Sequence, residues 1–143
     1  MAVTVIPWDE LAATVRAYLV TNGIWDSRVH VTMAPVTSAR PYVQIFLAGG
    51  GAQNIVKNKD ASLLVTIKVI ADTLAESLVG AAKISELLDD NGEQEGGASP
   101  VTGTEYEISN ITEGLTISYV EQIENARSIY HGGAQYRVRM EER

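Results

Sequence analysis

The chain is 143 residues long, 45% hydrophobic and 20% charged, a composition that fills one domain with its own core and is not that of a disordered chain. It contains no cysteine, which excludes disulfides, thiolate zinc sites and cysteine nucleophiles at once. The net charge of −7 is unevenly spread: from Ile84 to Ala126 there is no Lys or Arg but ten of the 18 acids, while the remainder holds all 11 cations. Binding to nucleic acid needs clustered cations to neutralise phosphates, so a sequence-specific DNA- or RNA-binding role is not expected. Such an acidic block reads either as a solvated loop or as a surface that repels DNA and docks on a basic partner. The start, "MAVTVIPWDELAA", has no basic n-region or unbroken apolar h-region. No signal peptide is therefore expected. No apolar run approaches the roughly 20 residues of a membrane span, and the expectation is a cytosolic chain.

The first predicted element is a helix from about Trp8 to Asn22, with Leu11, Val15, Tyr18 and Leu19 on one stripe and Gly23 as its left-handed stop. "RVHVTM" alternates Val29, Val31 and Met33 against His30 and Thr32, a half-buried strand. A proline-bracketed loop leads to a strand from Tyr42 to about Leu47. "ASLLVTIKVIA" is the longest strand candidate, with Leu63, Val65, Ile67 and Val69 on one face. Between these two strands lies "AGGGAQNIVKNKD", predicted as a long connection over residues 48–60.

A second helix is predicted over roughly Thr73 to Asp90, with a Thr73–Glu76 capping box and Leu74, Leu78, Ala81, Ile84, Leu87 and Leu88 at helical spacing. A second long loop, residues 89–104, follows. The C-terminal third reads as three strands: "TEYEISNITEG", "LTISYVEQIE" and "SIYHGGAQYRVRM". In the second, Leu115, Ile117 and Tyr119 alternate with Thr116 and Ser118; in the third, Arg137 and Arg139 share a polar face with His131 and Gln135. The whole is a single α+β domain over residues 1–143, two main helices packed on a mostly antiparallel sheet.

No constellation in the chain carries catalytic chemistry. Gly49, Gly50 and Gly51 with Asn54 come within one glycine of a dinucleotide fingerprint. That loop must open a helix whose free N–H groups hold the pyrophosphate, and here a strand follows. A phosphate-binding loop would end in Gly-Lys-Ser or Gly-Lys-Thr, which is absent. The triplet therefore reads as a pliable tip, and Gly49, Gly50, Gly51, Gln53, Asn54, Lys57 and Lys59 become candidate partner-contact residues. His30 and His131 stand apart with no metal-ligand spacing, and no G-x-S-x-G occurs. Glu105 and Glu107 share a strand face, a pairing ordinary on an acidic edge. No enzyme activity, cofactor or metal is expected. Arg137 and Arg139 are read either as edge-strand charge that deters aggregation or as the basic half of a contact with acids of a neighbouring copy.

The order of elements resembles the tail-terminator, or tail-completion, proteins of long-tailed bacteriophages. Three stretches carry the resemblance: "DELAATVRAYL" leading through "RVHVTMAP" into "ARPYVQIFL"; "LLVTIKVIAD" followed at once by "AESLVGAAKISELL"; and the ending "IYHGGAQYRVRMEE". The resemblance implies a structural protein of the virion, assembled in the host cytoplasm and located at the tail–neck junction. Members form a hexameric ring on the head-proximal end of the tail tube, stop tube growth and join the head connector. The implied partners are further copies of the chain, the major tail tube protein and a head-connector or stopper protein. Viral DNA would pass through the lumen without sequence-specific binding, and no membrane is involved. Another head–tail joining or minor tail protein is the alternative within this class; a small intracellular enzyme or ligand-binding protein is the alternative outside it.

Overall fold

A computed structural model describes residues 8–23, 28–31, 40–52, 61–88, 106–123 and 127–142. Helix α1 (Trp8–Thr21) is followed by strands β1 (Val29–Val31), β2 (Tyr42–Ala52) and β3 (Ala61–Ala71), helix α2 (Leu74–Leu88), and strands β4 (Tyr106–Ile123) and β5 (Arg127–Glu142). The strands make one sheet in the order β1-β2-β3-β5-β4. Only β1 and β2 run parallel; the other three pairings are antiparallel. The α+β class and mostly antiparallel sheet expected from the sequence are present.

Both helices lie on one face. Leu11, Val15 and Leu19 of α1 and Ile84 and Leu88 of α2 are buried in a core with Val43 and Ile45 of β2, the alternate residues Leu63–Val69 of β3, and Ala134, Tyr136, Val138 and Met140 of β5. Each such aliphatic side chain, removed from water, contributes about 2 kcal/mol before the entropy of ordering is counted. The two helices also touch each other: Tyr18 donates its hydroxyl to the Leu87 carbonyl at 3.0 Å. Gly23, at φ +91°, ends α1, donating its N–H to the Val20 carbonyl. The capping pair at the start of α2 is present too, since Glu76 N–H donates to Thr73 Oγ1 at 3.2 Å and that hydroxyl lies 3.1 Å from the Glu76 carboxylate.

Three expectations are corrected. The predicted pair of strands over residues 104–124 is one strand, β4, carrying two bulges. Each inserts one extra residue, between Ile108 and Asn110 and between Glu113 and Thr116. The first brings both Ile108 and Ile111 to the core. The second shifts the alternation, so that Thr116, Ser118 and Val120 pair with helix-side residues of β5 while Ile117 and Tyr119 move to the opposite face. The apolar series Leu115–Ile117–Tyr119 is therefore not buried under α2; Leu115 is 68% exposed.

Secondly, the buried stripe of α2 is Ser77, Gly80, Ile84 and Leu88, while Leu74 and Leu78 are about half exposed. In the first half of α2 the small residues Ser77 and Gly80 are buried, because the helix sits directly on Gly132: a Cβ there would lie 3.0 Å from the Ser77 carbonyl oxygen. Thirdly, β2 continues past Leu47 to Ala52, so Gly49, Gly50 and Gly51 are strand residues paired with Leu64, Leu63 and Ser62 beyond a bulge at Ala48. The triplet is no loop tip. Gln53, Asn54, Lys57 and Lys59 lie outside the described residues, as does the predicted loop 89–104.

The tightest approach in the sheet is at Gly133, where a Cβ would fall 2.1 Å from the backbone oxygen of Ile67. Backbone on both sides leaves nothing that can rotate away. Gly133→Ala is expected to lower the free energy of unfolding by about 3 kcal/mol or more, read by urea denaturation. A loss below the usual effect of an exposed-strand Gly→Ala change would show that the two strands separate easily there.

Candidate interaction surface

On the face opposite the helices, the sheet carries a band of aromatic and charged side chains. Its geometry follows from the missing side chain at Gly133, which lies in β5 between Lys68 of β3 and Ile117 of β4. With no side chain in between, Lys68 reaches across β5 and donates to the Tyr119 hydroxyl at 2.9 Å. Its ammonium stands 5.4 Å from the ring centroids of both Phe46 and Tyr119, a cation held between two π-faces.

Tyr119 in turn stacks on its cross-strand partner His131, with centroids 4.3 Å apart and planes 9° from parallel. His131 is 7% exposed. Its Nε2 lies 2.9 Å from Glu121 Oε1. A carboxylate only accepts, so Nε2 bears the hydrogen and Nδ1 keeps its lone pair. That Nδ1 is buried without a hydrogen-bond partner. Burial pushes the imidazole below its ordinary value; the Glu121 hydrogen bond and charge oppose the shift, and the Lys68 ammonium reinforces it. His131 is a neutral, stacked platform under Tyr119. At the far side of the band, His30 meets Tyr42 edge-on at 5.9 Å, and Arg40 pairs with Asp72 at 2.7 Å.

Arg137 and Arg139 project from this same face, exposed, as the alternation in the sequence requires. Their register partners are Leu64 and Thr112, and Ser62 and Asn110. Neither is edge-strand charge, because β5 lies inside the sheet between β3 and β4. The structure keeps the two arginines together and in register with the glycine triplet: Gly49, Leu64 and Arg137 align across β2, β3 and β5, as do Gly51, Ser62 and Arg139. No group of three or more His, Asp or Glu side chains able to hold a metal occurs among the described residues. No described helix is long and apolar enough to cross a membrane. Sequence reasoning missed the Lys68–Tyr119–His131–Glu121 chain of contacts. Its one legible signal was the Gly132–Gly133 pair inside a strand, a mark of close backbone approach.

Over nearly its full length the fold is similar to a chain of the solved virion of a native gene transfer agent (GTA) particle. The TM-score is 0.62 at 19% sequence identity, covering 92% of this chain and 94% of that one. At this identity the likeness is one of fold. No protein-family model and no curated protein matches the chain.

The His131 arrangement has a pH consequence. With the folded value below the ordinary 6.5, the unfolded chain takes up the proton first as pH falls. The contribution of the neutral ring is therefore whole above pH 6.5 and is lost as pH drops through the folded value. An NMR titration of the His131 ring should give a midpoint under 6.5, and His131→Gln should flatten the decline in unfolding free energy just below neutrality. A midpoint at or above 6.5 would overturn the neutral-platform description.

Proposed function

We propose that the chain is a structural protein of a phage or phage-like virion: a hexameric ring that caps the head-proximal end of a tail tube, ends its polymerisation and joins it to the head connector. The observation that carries this reading is the fold likeness to a component of a GTA virion, which spans almost all of both chains. The element order that resembles tail-terminator proteins supports it independently, since the helix, the long strand β3 running straight into α2, and the final basic strand are all present.

The surface chemistry fits such a role. An uneven charge distribution lets different surfaces of identical copies match each other, as a closed head-to-tail ring requires. Arg137 and Arg139, side by side and exposed, supply a basic patch for acids of the neighbouring copy. The net charge of −7 suits a lumen through which DNA moves without sticking.

Native mass spectrometry of the purified chain should give a mass six times that of the 15.4 kDa protomer. A monomer at all concentrations would end the ring reading. Arg137→Glu together with Arg139→Glu should weaken assembly with the fold retained by circular dichroism; an unchanged hexamer would remove these arginines from the interface. Electron microscopy of particles made without the gene separates the roles: tails of uncontrolled length are expected, whereas normal tails lacking heads would make the protein a stopper.

A further inference from the structure

The sheet has two edges, and they differ. β1 is three residues long, and its Val29 carbonyl already accepts a hydrogen bond from Arg16 Nε at 2.8 Å. β4 is 18 residues long, and among the described residues nothing pairs with its outer side. Proteins blunt such edges with lysine, proline, bulges or a cover. β4 has its two bulges but neither lysine nor proline.

Every large hydrophobic side chain that is exposed among the described residues lies on β4 or on the helix beside it: Leu115, Tyr119 and Val120, and Leu74, Leu78 and Val79. The two elements are tied together where Ser85 donates to Glu113 at 2.7 Å. Leu78 and Leu74 precede Ser85 by seven and eleven residues, whole turns of a helix, so they line the same β4-facing side. Concentration of exposed apolar area at one open edge marks an interaction site rather than scattered surface residues.

Charge says what kind of chain can lie there. β4 carries Glu107, Glu113 and Glu121 and no cation. A second β4 laid alongside would bring together two strands whose only charges are acidic, so self-pairing gains no opposite-charge pairs. A strand bearing lysine or arginine would instead gain both the backbone ladder and opposite charges. We propose that the free edge of β4 receives an extended, lysine- or arginine-bearing segment of a different protein, which adds to the sheet as a further strand. Tyr119, held by the Lys68 hydrogen bond and the His131 stack, and Val120 flank the added strand on the two faces. This goes beyond the ring reading and does not depend on it.

The test uses the full chain and a fluorescent peptide alternating lysine with valine and threonine, with a second peptide bearing glutamate for lysine. The lysine peptide should bind, slow hydrogen exchange of amides within β4, and lose affinity by about tenfold or more with Leu115→Lys and Val120→Lys. Both positions are exposed, so melting temperature should be unchanged and the loss assignable to the edge. Equal binding of the glutamate peptide, binding that leaves β4 amides unprotected, or no binding at millimolar peptide would each overturn the proposal. So would protection of β4 amides in the protein alone that rises with its concentration, since a second copy would then occupy the edge.

Discussion

Gly132 and Gly133 are neighbours on β5, so they face opposite sides of the sheet, and each removes a side chain where something else must come close. On the helix side, Gly132 admits the backbone of α2 at Ser77. On the other side, Gly133 lets β5 approach the backbone of Ile67 and leaves the gap that Lys68 crosses to reach Tyr119. Two missing Cβ atoms thus set the seat of a helix and the anchor of the aromatic band. Glycine in a strand interior weakens the strand by itself, because it adds backbone freedom and no packing. The loss is offset here by the contacts that only glycine permits.

The bulges of β4 work with this constraint. Without its second bulge alone, β4 would turn Leu115, Ile117 and Tyr119 to the helix side of the sheet, where α2 lies close over Gly132. Shifting the alternation puts Thr116 and Ser118 on the helix side of the sheet, where both stay exposed, and frees Tyr119 to stack on His131. The side of the sheet away from the helices gains a polar and aromatic surface, and β4 carries exposed apolar side chains at an edge that no described residue pairs with. Both properties fit a protein that works by fitting against others.

Much of the fold was legible along the chain. The eleven residues of β3 alternate without a break and are bounded by Asp residues, so the predicted strand over 61–71 matches the observed one. The helices were legible because each has a stripe and a stop or cap: Gly23 for α1, Thr73 with Glu76 for α2. Misreadings arose at glycine. Glu113–Gly114 resembles a turn between two strands, and Gly49–Gly51 resembles a loop, yet both continue in strand because neighbouring strands supply the ladder. Of the candidate site, the exposure of Arg137 and Arg139 was readable from alternation. The Lys68–Tyr119–His131–Glu121 contacts were not, since they join residues of three strands with no mark of mutual register.

The sequence by itself determined the α+β class, the placement of both helices and β3, the acidic bias of the middle of the chain and the absence of cysteine chemistry. These depend on periodicity, caps and composition, which act over a few residues or over the whole chain at once. Only the tertiary structure decided which apolar residues are buried, which arginines share a face with the aromatic band, and which strand is left at the edge. Those outcomes turn on strand order and register, where one extra residue at Gly114–Leu115 exchanges the two faces of everything that follows.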